Sequence, residues 1–342
     1  MERAVERNII FDAIKAFAIG LVVYGHSIQY LSGCTWDNEI FRIIYTFHMP
    51  LFFMISGYFF SSSLQLGWKE FLIKKAGTLL LPCFVWTIIL SAINFCDWHQ
   101  YLMNILNPLK WDLWFLKGLF LVQLMVFVCM HIGAKLNHNA RYATVIAVFL
   151  SMLVYILPFM YVPRVMLPMF WIGYFVRLYY KWFAKYHCWI AATALFFFSI
   201  MYPFGREYVQ EMYNGTMVKF YELMLGETDW VNVYKLIYRL LLGACGSIAI
   251  IALMHAFKRI PKIILKVGSS TQGIYIFQTL LLESIMGAYV DLSGWNSCLL
   301  YFIVLPMISI LVVSICTILT KFTCKSQITG FLLLGRMPRI AE

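Results

Sequence analysis

Two ionisable side chains, Lys15 and His26, interrupt the first apolar segment of the chain, residues 8–31. Ionisable groups are costly inside a bilayer, so those retained there are candidates for function. Eleven positions separate the two, and in an α-helix this spacing places both on one face, about 16 Å apart. Asp12, three residues before Lys15, lies on the same side. The segment therefore presents a carboxylate, an ammonium and an imidazole in one row, and an imidazole is suited to proton transfer near neutral pH.

Further polar side chains fall within other apolar segments, mostly in the half of the membrane away from the N-terminal side. His48 lies two residues before Pro50, which breaks or kinks a helix there, and this favours a role in a site. Ser56 and Gly57 offer a small surface for close helix contact. The other polar residues of this half are Arg42, Asp112, Lys117, Lys235, Arg239 and Glu283. They are expected to face the bundle interior or a water-filled cavity, although Arg42 and Lys235 are equally well placed to reach the headgroups.

The composition is that of an integral membrane protein. Of the 342 residues, 62% are hydrophobic and 13% charged, whereas a soluble domain has about one quarter charged residues. The first apolar run is too long and too charged for a cleaved signal peptide. The net charge of +11 comes from basic residues beside apolar segments, so it indicates topology rather than a nucleic-acid partner. The nine cysteines show no metal-ligand spacing, so neither disulfides nor a metal site are expected.

Ten apolar runs are long enough to cross a bilayer, at about 20 residues each. They predict an all-α, polytopic membrane bundle with spans near 9–31, 40–62, 76–96, 111–132, 142–160, 165–183, 187–204, 233–257, 268–290 and 297–320. Basic residues outside the spans concentrate on the N-terminal side, so both termini are expected in the cytoplasm. Residues 1–342 are expected to form one membrane domain, with an external loop at 205–232 and a cytoplasmic tail at 321–342.

Six sequence blocks, in order, carry a resemblance to a known family. They are Arg7, Asp12, Lys15, Gly25 and His26; FHMPLFFMISGY from Phe47; Lys74 to Pro82, a basic pair before Leu-Leu-Leu-Pro; Trp111 to Leu116; Pro168 to Tyr174; and Gly268 to Gln278. On these blocks the chain resembles the acyltransferase-3 family of bacterial integral membrane acyltransferases, especially its fucose O-acetylase-like members. Each block is weak alone, whereas six in the family's order are specific.

The chain departs from the family's pattern at two positions. Family members usually carry Arg-x-x-Arg at the start of the third span, where this chain has Lys75 and Thr78. One charge is lost, Lys does not grip phosphate bidentately as Arg does, and Lys74 is placed to compensate. Many relatives end the last block with His, where this chain has Gln278. An amide forms hydrogen bonds but does not transfer protons, so a proton-transfer role is excluded at this position.

The resemblance implies transfer of an acyl group, usually acetyl, from cytoplasmic acyl-CoA to a hydroxyl of a cell-surface or lipid-linked glycan by an inner-membrane enzyme. Lys15, Lys74 and Lys75 would hold the CoA phosphates, with Asp12 setting the position of Lys15. The pantetheine arm would extend outward along the helix from Lys15 to His26, a distance of about 16 Å. This would bring the thioester to His26. His26 is expected to act as general base on the acceptor hydroxyl or, alternatively, to carry the acyl group itself.

The outer polar residues are assigned to the acceptor side, and His48 is grouped with His26 as catalytic. The candidates for binding the acceptor or stabilising an oxyanion are Asp112, Trp114, Lys117, Arg239, Gln278 and Glu283. The competing class is a transporter or flippase for a glycan or lipid-linked intermediate, which buried charges across ten spans also fit. Such proteins often show paired repeats with broken helices, and the sequence shows none. It carries no signal for an oligomeric state.

Overall fold

The computed structural model describes residues 9–93, 113–155, 161–213, 230–257 and 259–337, and all regular structure among them is helical. In chain order the α-helices of six or more residues are α1 (Ile9–Leu31), α2 (Glu39–Tyr58), α3 (Trp68–Lys75), α4 (Leu81–Ile93), α5 (Trp114–Leu136), α6 (Ala140–Ser151), α7 (Tyr161–Leu178), α8 (Tyr180–Lys185), α9 (His187–Tyr213), α10 (Trp230–Met254), α11 (Lys262–Ser269), α12 (Thr271–Gln278), α13 (Leu305–Thr323) and α14 (Gln327–Leu334).

Seven helical segments of the described chain are long and apolar enough to cross a membrane. They are Ile9–Leu31, Glu39–Tyr58, Trp68–Leu90, Trp114–Leu136, His187–Glu207, Val233–Met254 and Ser297–Thr323. A helix satisfies its own backbone hydrogen bonds, which lipid cannot do, so long apolar runs take this form. The predicted fold class, an all-α membrane bundle, is confirmed. The count of ten spans and the side of the termini stay predictions.

The other predicted spans are shorter or interrupted. Ala140–Val154 and Val165–Leu178 are apolar helices below spanning length. The predicted ninth span is α12 continued by the π-helical segment Thr279–Met286. The predicted third span, 76–96, begins earlier, at Trp68, because the helical hydrogen bonds continue beyond the apolar run.

Two predicted connecting segments contain helix. Residues 205–213 of the predicted external loop belong to α9, and α10 begins at Trp230. Residues 214–229 lie outside the described residues. The predicted tail contains α14, which packs on α4 and accepts a hydrogen bond at the carbonyl of Leu333 from Nε1 of Trp86 at 2.9 Å. The segment after α13 is therefore packed against the bundle.

Helix α1 lies among several other helices and packs against α2, α10, α11, α12 and α13. Its buried residues include Phe11, Ile14, Ile19 and Val22. The end of the bundle at which α1 begins, at Ile9, is called the inner end here, and the end at which it stops is the outer end. Because α1 is surrounded in this way, its residues contact several distant parts of the chain.

Helix α2 packs closely on α7 through two glycines. A Cβ at Gly57 would overlap the backbone carbonyl of Phe170, and one at Gly173 would overlap that of Met54. Small residues let helix backbones approach each other within a membrane. Helix α2, which also meets α1 and α10, is thereby fixed in the bundle.

Three π-helical segments occur in the described chain: Ala76–Leu80, Thr279–Met286 and Leu300–Val304. A π-helical turn bonds residues five positions apart, and such turns are frequent at functional sites. Each one rotates the following residues away from the face that α-helical spacing predicts. The segment Thr279–Met286 packs against α1, so it brings an unpredicted face to the row of polar residues on that helix.

Candidate active site

At the inner end of α1 a carboxylate and an ammonium form an ion pair. Nζ of Lys15 lies 2.7 Å from Oδ1 of Asp12. The side chain of Asp12 is only 8% exposed, whereas that of Lys15 is 28% exposed. A spacing of three residues brings the two together on one helix. Helix geometry alone therefore accounts for this pair, and it leaves the ammonium of Lys15 accessible.

A cavity of about 210 Å³ begins at Lys15 and extends along α1. On α1 it is lined by Lys15, Ile19 and Val22, which share one face at spacings of four and three residues. Residues of α2, α5 and α12 form most of the remaining wall, which is largely apolar. His26 follows Val22 in the same row, about 6 Å further toward the outer end. The cavity thus lies along the row that the sequence predicts for the pantetheine arm.

The predicted basic pair, Lys74 and Lys75, ends α3 near the inner part of this cavity. Thr78, at the position of the relatives' second Arg, donates its hydroxyl hydrogen to the carbonyl of Lys74 at 2.8 Å. The carbonyl of Thr78 accepts a hydrogen bond from Nε2 of Gln272 at 2.7 Å. Gln272 and Leu79 both line the cavity. Lys74 and Lys75 therefore lie five and four residues, about one helical turn, before the cavity-lining Leu79.

Toward the outer end, His26 meets a carboxylate from a distant part of the sequence. Nδ1 of His26 lies 3.0 Å from Oε1 of Glu283, and the two side chains are 18% and 20% exposed. The distance fits a hydrogen bond, whereas the ring N–H is not aligned with the carboxylate, and Nδ1 has no other partner among the described residues. Catalytic pairs often align only when substrate binds. An ionised carboxylate only accepts, so it favours the proton on Nδ1 and leaves Nε2 to accept another.

Glu283 is carried by the π-helical segment Thr279–Met286. This segment continues α12, of which Tyr275 lines the cavity. The helix face of a residue cannot be assigned at 100° per residue across a π-helical segment. Sequence spacing therefore does not predict that Glu283 faces His26. The sequence predicts Glu283 on the acceptor side, and the structure places it where it can orient the imidazole.

His48 is buried on α2 and belongs to the same region as His26. Its Nδ1 lies 2.7 Å from the carbonyl oxygen of Ile44, so Nδ1 donates and Nε2 is left as an acceptor. Its ring packs against that of Tyr45, with 4.7 Å between centroids. The ring of Tyr45 in turn lies against Gly25, the residue before His26. The structure therefore brings together two imidazoles that the sequence places on different helices.

The guanidinium of Arg239 occupies the gap that Pro50 leaves in α2. Proline has no N–H, so the carbonyl of Thr46, four residues earlier, loses its helical partner. Nη1 of Arg239 donates to that carbonyl, and Nη2 donates to the carbonyl of Tyr45 at 2.8 Å. Arg239 is buried, and a buried cation needs such acceptors. The predicted acceptor-binding residue is thus bonded to the backbone next to His48.

Arg239, Gly243 and Ser247 lie four residues apart and form a stripe on α10. This stripe faces the turn of α2 that precedes Pro50. The hydroxyl of Ser247 donates to the carbonyl of Phe47 at 3.1 Å. A Cβ at Gly243 would lie 3.1 Å from Cγ of Pro50, which is closer than side chains normally approach. The stripe supplies two hydrogen-bond donors, Arg239 and Ser247, to backbone carbonyls of the turn before Pro50. Gly243 between them leaves space for the proline ring.

The other described candidates for the acceptor side lie on helices other than α10. Lys117 is buried on α5, and Trp114 begins the same helix, partly buried. Gln278 is fully buried; its Nε2 donates to Oγ1 of Thr279 at 3.2 Å, and its Oε1 has no hydrogen-bond partner among the described residues. Asp112 lies outside the described residues. Roles for all four in binding an acceptor stay predictions.

The predicted support residues Ser56 and Gly57 lie side by side on α2 with different surroundings. Ser56 lines the cavity, and its hydroxyl donates to the carbonyl of Phe52 at 2.9 Å. Gly57 forms the close contact with α7. Within the described ranges, no group of three or more His, Cys, Asp or Glu side chains is placed to hold a metal ion.

Two residues that the sequence does not single out connect α2 to the outer part of α1. The hydroxyl of Tyr45 donates to Oε1 of Gln29 at 2.7 Å. A Cβ at Gly25 would lie 2.9 Å from Cε2 of Tyr45, so the glycine before His26 lets this ring approach. The sequence does point to Gly25, because this glycine belongs to the first of the six sequence blocks. The contact itself depends on how the two helices pack.

The family model described as an acyltransferase domain matches residues 8–321, nearly the whole chain. The chain belongs to this family, acyltransferase-3, as the sequence blocks predict. Its family and its apolar helices indicate a multi-pass membrane protein. Membership in this family favours the enzyme over the transporter or flippase that the sequence left open.

Two curated relatives are similar to part of the chain. Nodulation protein NolL of Mesorhizobium japonicum is 37% identical over 93 residues, which cover 26% of this chain and 25% of the relative. Nodulation protein NolL of Sinorhizobium fredii is 31% identical over 121 residues, which cover 32% of this chain and 33% of the relative. The matches thus span a quarter to a third of the relatives' length. No solved structure matches the chain.

Proposed function

We propose that this acyltransferase moves an acetyl group from acyl-CoA, bound from the inner end, to a hydroxyl of a cell-surface or lipid-linked glycan at the outer end. The observation that carries the proposal is the row on α1, in which Lys15, the cavity wall at Ile19 and Val22, and His26 follow one another. We place the enzyme in the inner membrane with the N-terminus in the cytoplasm, where basic flanking residues favour it and where acyl-CoA is available.

On the donor side, basic residues lie beside the inner part of the largely apolar cavity that begins at Lys15. Lys15, Lys74 and Lys75 supply ammonium groups for the phosphates of CoA. The ammonium of Lys15 is held by Asp12 and remains 28% exposed, so it can bind an anion without losing its position. The apolar wall suits the uncharged pantetheine arm, which would extend along the row of about 16 Å toward His26.

Beyond the outer end of this cavity, in the same row of α1, His26 acts as general base. Nε2 takes the proton of the acceptor hydroxyl while the oxygen attacks the thioester carbonyl carbon. The tetrahedral intermediate then expels the CoA thiolate, which receives the proton from Nε2, so that the imidazole is neutral again. Glu283, with Oε1 3.0 Å from Nδ1, fixes the tautomer and stabilises the transient imidazolium. Attack by Nε2 itself, through an acyl-imidazole, is the alternative route.

On the acceptor side, buried polar groups provide orientation. His48 presents Nε2 as an acceptor because Nδ1 is used by Ile44, and the unpartnered Oε1 of Gln278 can accept a second hydrogen bond from a hydroxyl. We assign both to the acceptor, with Trp114 and Asp112 as further contacts. We assign Lys117 as the cation that stabilises the developing oxyanion.

The test uses purified full-length protein with labelled acetyl-CoA and envelope glycans from cells that lack the gene, with the product identified by mass spectrometry. His26→Ala is expected to lower acyl transfer by about 10²–10⁴-fold, the usual contribution of a general base. His131→Ala, which removes a partly buried imidazole on α5 outside the site, is the matched control and keeps its activity. Wild-type transfer by His26→Ala would overturn the assignment. Acetylated His26, recovered after donor alone, would select the acyl-imidazole route.

A further inference from the structure

A second cavity, of about 520 Å³, lies near the inner end of α1. It is on the side of α1 opposite the cavity that begins at Lys15. On α1 it is lined by Ala13, Ala16, Phe17 and Gly20. At 100° per residue these positions face away from Lys15 and Ile19. Helix α1 thus separates two cavities, and the second one takes no part in the proposed acyl transfer.

The wall of this second cavity is almost wholly apolar and partly exposed. Besides α1, it is formed by the end of α10, the following linker, α11 and α13. Phe257, Ile263 and Ile310 line it, and they are 59%, 69% and 68% exposed. Its volume falls in the range of about 300–1,000 Å³ that small-molecule sites occupy. An apolar cleft that opens at the side of a membrane bundle suits a hydrocarbon chain.

Basic side chains lie in and beside this second cavity. Arg259 lines the cavity and is its one charged residue among the described lining residues. On α11, Lys262 and Lys266 are four residues apart on one face, whereas Ile263 and Val267 occupy the other face and line the cavity. A helix with basic and apolar faces typically lies at the headgroup level of a membrane. Such a helix places its cations at the depth of lipid phosphates.

We infer that this cleft binds one anionic diacyl phospholipid, with an acyl chain between α1, α11 and α13 and its phosphate on Arg259. The positive charge of Arg259, Lys262 and Lys266 favours an anionic headgroup over a zwitterionic one, and a guanidinium can bind the phosphate bidentately. Helix α11 is held in place for this role by Gly268, since a Cβ there would overlap the backbone carbonyl of Asp12. The inference does not depend on the proposed acyl transfer.

Gly20 offers a direct way to fill the cleft. A Cβ added at this position meets no atom within 4 Å, so a large side chain has room to enter the cavity without disturbing the helix. Replacing glycine within a helix also removes its unfavourable helix propensity. Gly20→Phe is therefore expected to fold and to occupy the space of the acyl chain. Gly20→Leu is a smaller second variant of the same kind.

The experiment measures lipids retained by the purified full-length protein in native mass spectrometry after equilibration with equal amounts of phosphatidylglycerol and phosphatidylcholine. The wild type is expected to retain one phosphatidylglycerol per chain. Arg259→Gln is expected to lower the preference for phosphatidylglycerol by about tenfold, because the lost positive charge attracts an anionic headgroup more than a zwitterionic one. Gly20→Phe loses the retained lipid of either kind. Lys185→Gln, which removes an exposed lysine from α8 outside the cleft, keeps the wild-type ratio.

Several results would overturn the inference. One is an unchanged lipid ratio in Arg259→Gln, and another is a retained lipid in both Gly20→Phe and Gly20→Leu. An equal loss in Lys185→Gln would show a general effect of surface charge rather than a site. Retention of an isoprenoid phosphate or a peptide in place of phosphatidylglycerol would assign the cleft to another occupant. An unchanged elution volume in size exclusion confirms that each variant is folded.

Discussion

The two ends of α1 hold their polar residues in different ways. At the inner end, Lys15 and Asp12 belong to the same helix and meet at 2.7 Å. At the outer end, His26 meets Glu283, from the far end of the sequence, at 3.0 Å. The inner pair follows from helical spacing. The outer pair exists only because a π-helical segment packs against α1.

This difference suits two tasks. Capture of a phosphate by an ammonium depends on a point charge and tolerates some displacement. Proton transfer needs an imidazole held in one tautomer and one orientation, and a displacement of about 1 Å can cost a factor of about 100 in rate. Support from a second element is therefore expected at the outer end. We expect changes at the inner end to affect donor binding and changes at the outer end to affect turnover.

Among the changes that compare the partners of the two ends, Glu283→Gln is expected to have the largest effect. An amide can donate to Nδ1 of His26 and so stabilise the wrong tautomer. We expect kcat to fall by about 10²–10⁴-fold with little change in KM for acetyl-CoA, measured by initial rates. Glu283→Asp, which keeps the carboxylate on a shorter stem, should recover part of the loss. An effect confined to the acceptor KM would instead return Glu283 to the acceptor side.

Long-range support at the outer end also predicts coupling between Arg239 and Pro50. Arg239→Gln leaves the carbonyl of Thr46 without its donor and should lower the free energy of unfolding by about 1–3 kcal/mol. In the Pro50→Ala background that carbonyl regains a helical N–H, so the same change should cost less. Denaturation of the four proteins in detergent should give a coupling of about 0.5–3 kcal/mol. Strictly additive effects would contradict this account of Arg239 and favour a direct contact with the acceptor.

Lys15→Gln tests the inner end. Loss of one ammonium near the donor phosphates should raise KM for acetyl-CoA by about tenfold, equivalent to about 1.4 kcal/mol, with kcat nearly unchanged. Lys15→Arg keeps the charge and should remain close to wild type. The wild-type KM should also rise with salt, since screening weakens such contacts. A loss of kcat without a change in KM would show that both ends of α1 serve turnover.

The smallest effect is expected for Lys74→Gln, at the end of α3. Lys74 is exposed, and exposed charges contribute about 0.2–1 kcal/mol, so KM for acetyl-CoA should rise by at most about fivefold. Lys69→Gln, which removes an exposed lysine six residues before Lys75 on the same helix, is the matched control and should leave KM unchanged. A larger effect of Lys74→Gln than of Lys15→Gln would reverse the order of the two donor contacts.

The sequence by itself determined the features that depend on local structure. Apolar runs of spanning length can only be helices in lipid, and the all-α membrane bundle follows from them. Helical periodicity places Asp12, Lys15 and His26 in one row, and the ordered blocks identify the family. These inferences succeed because they depend on residues near each other in the chain, whose geometry is set by the backbone hydrogen bonds of one helix.

Only the tertiary structure decided which residues meet across helices. The contact of Glu283 with His26 depends on a π-helical segment that shifts the face of the helix. The bonds from Arg239 to the carbonyls beside Pro50 and the two cavities on either side of α1 depend on which helices are neighbours. That choice comes from many small packing contacts between distant parts of the chain, and no spacing within a single segment records it.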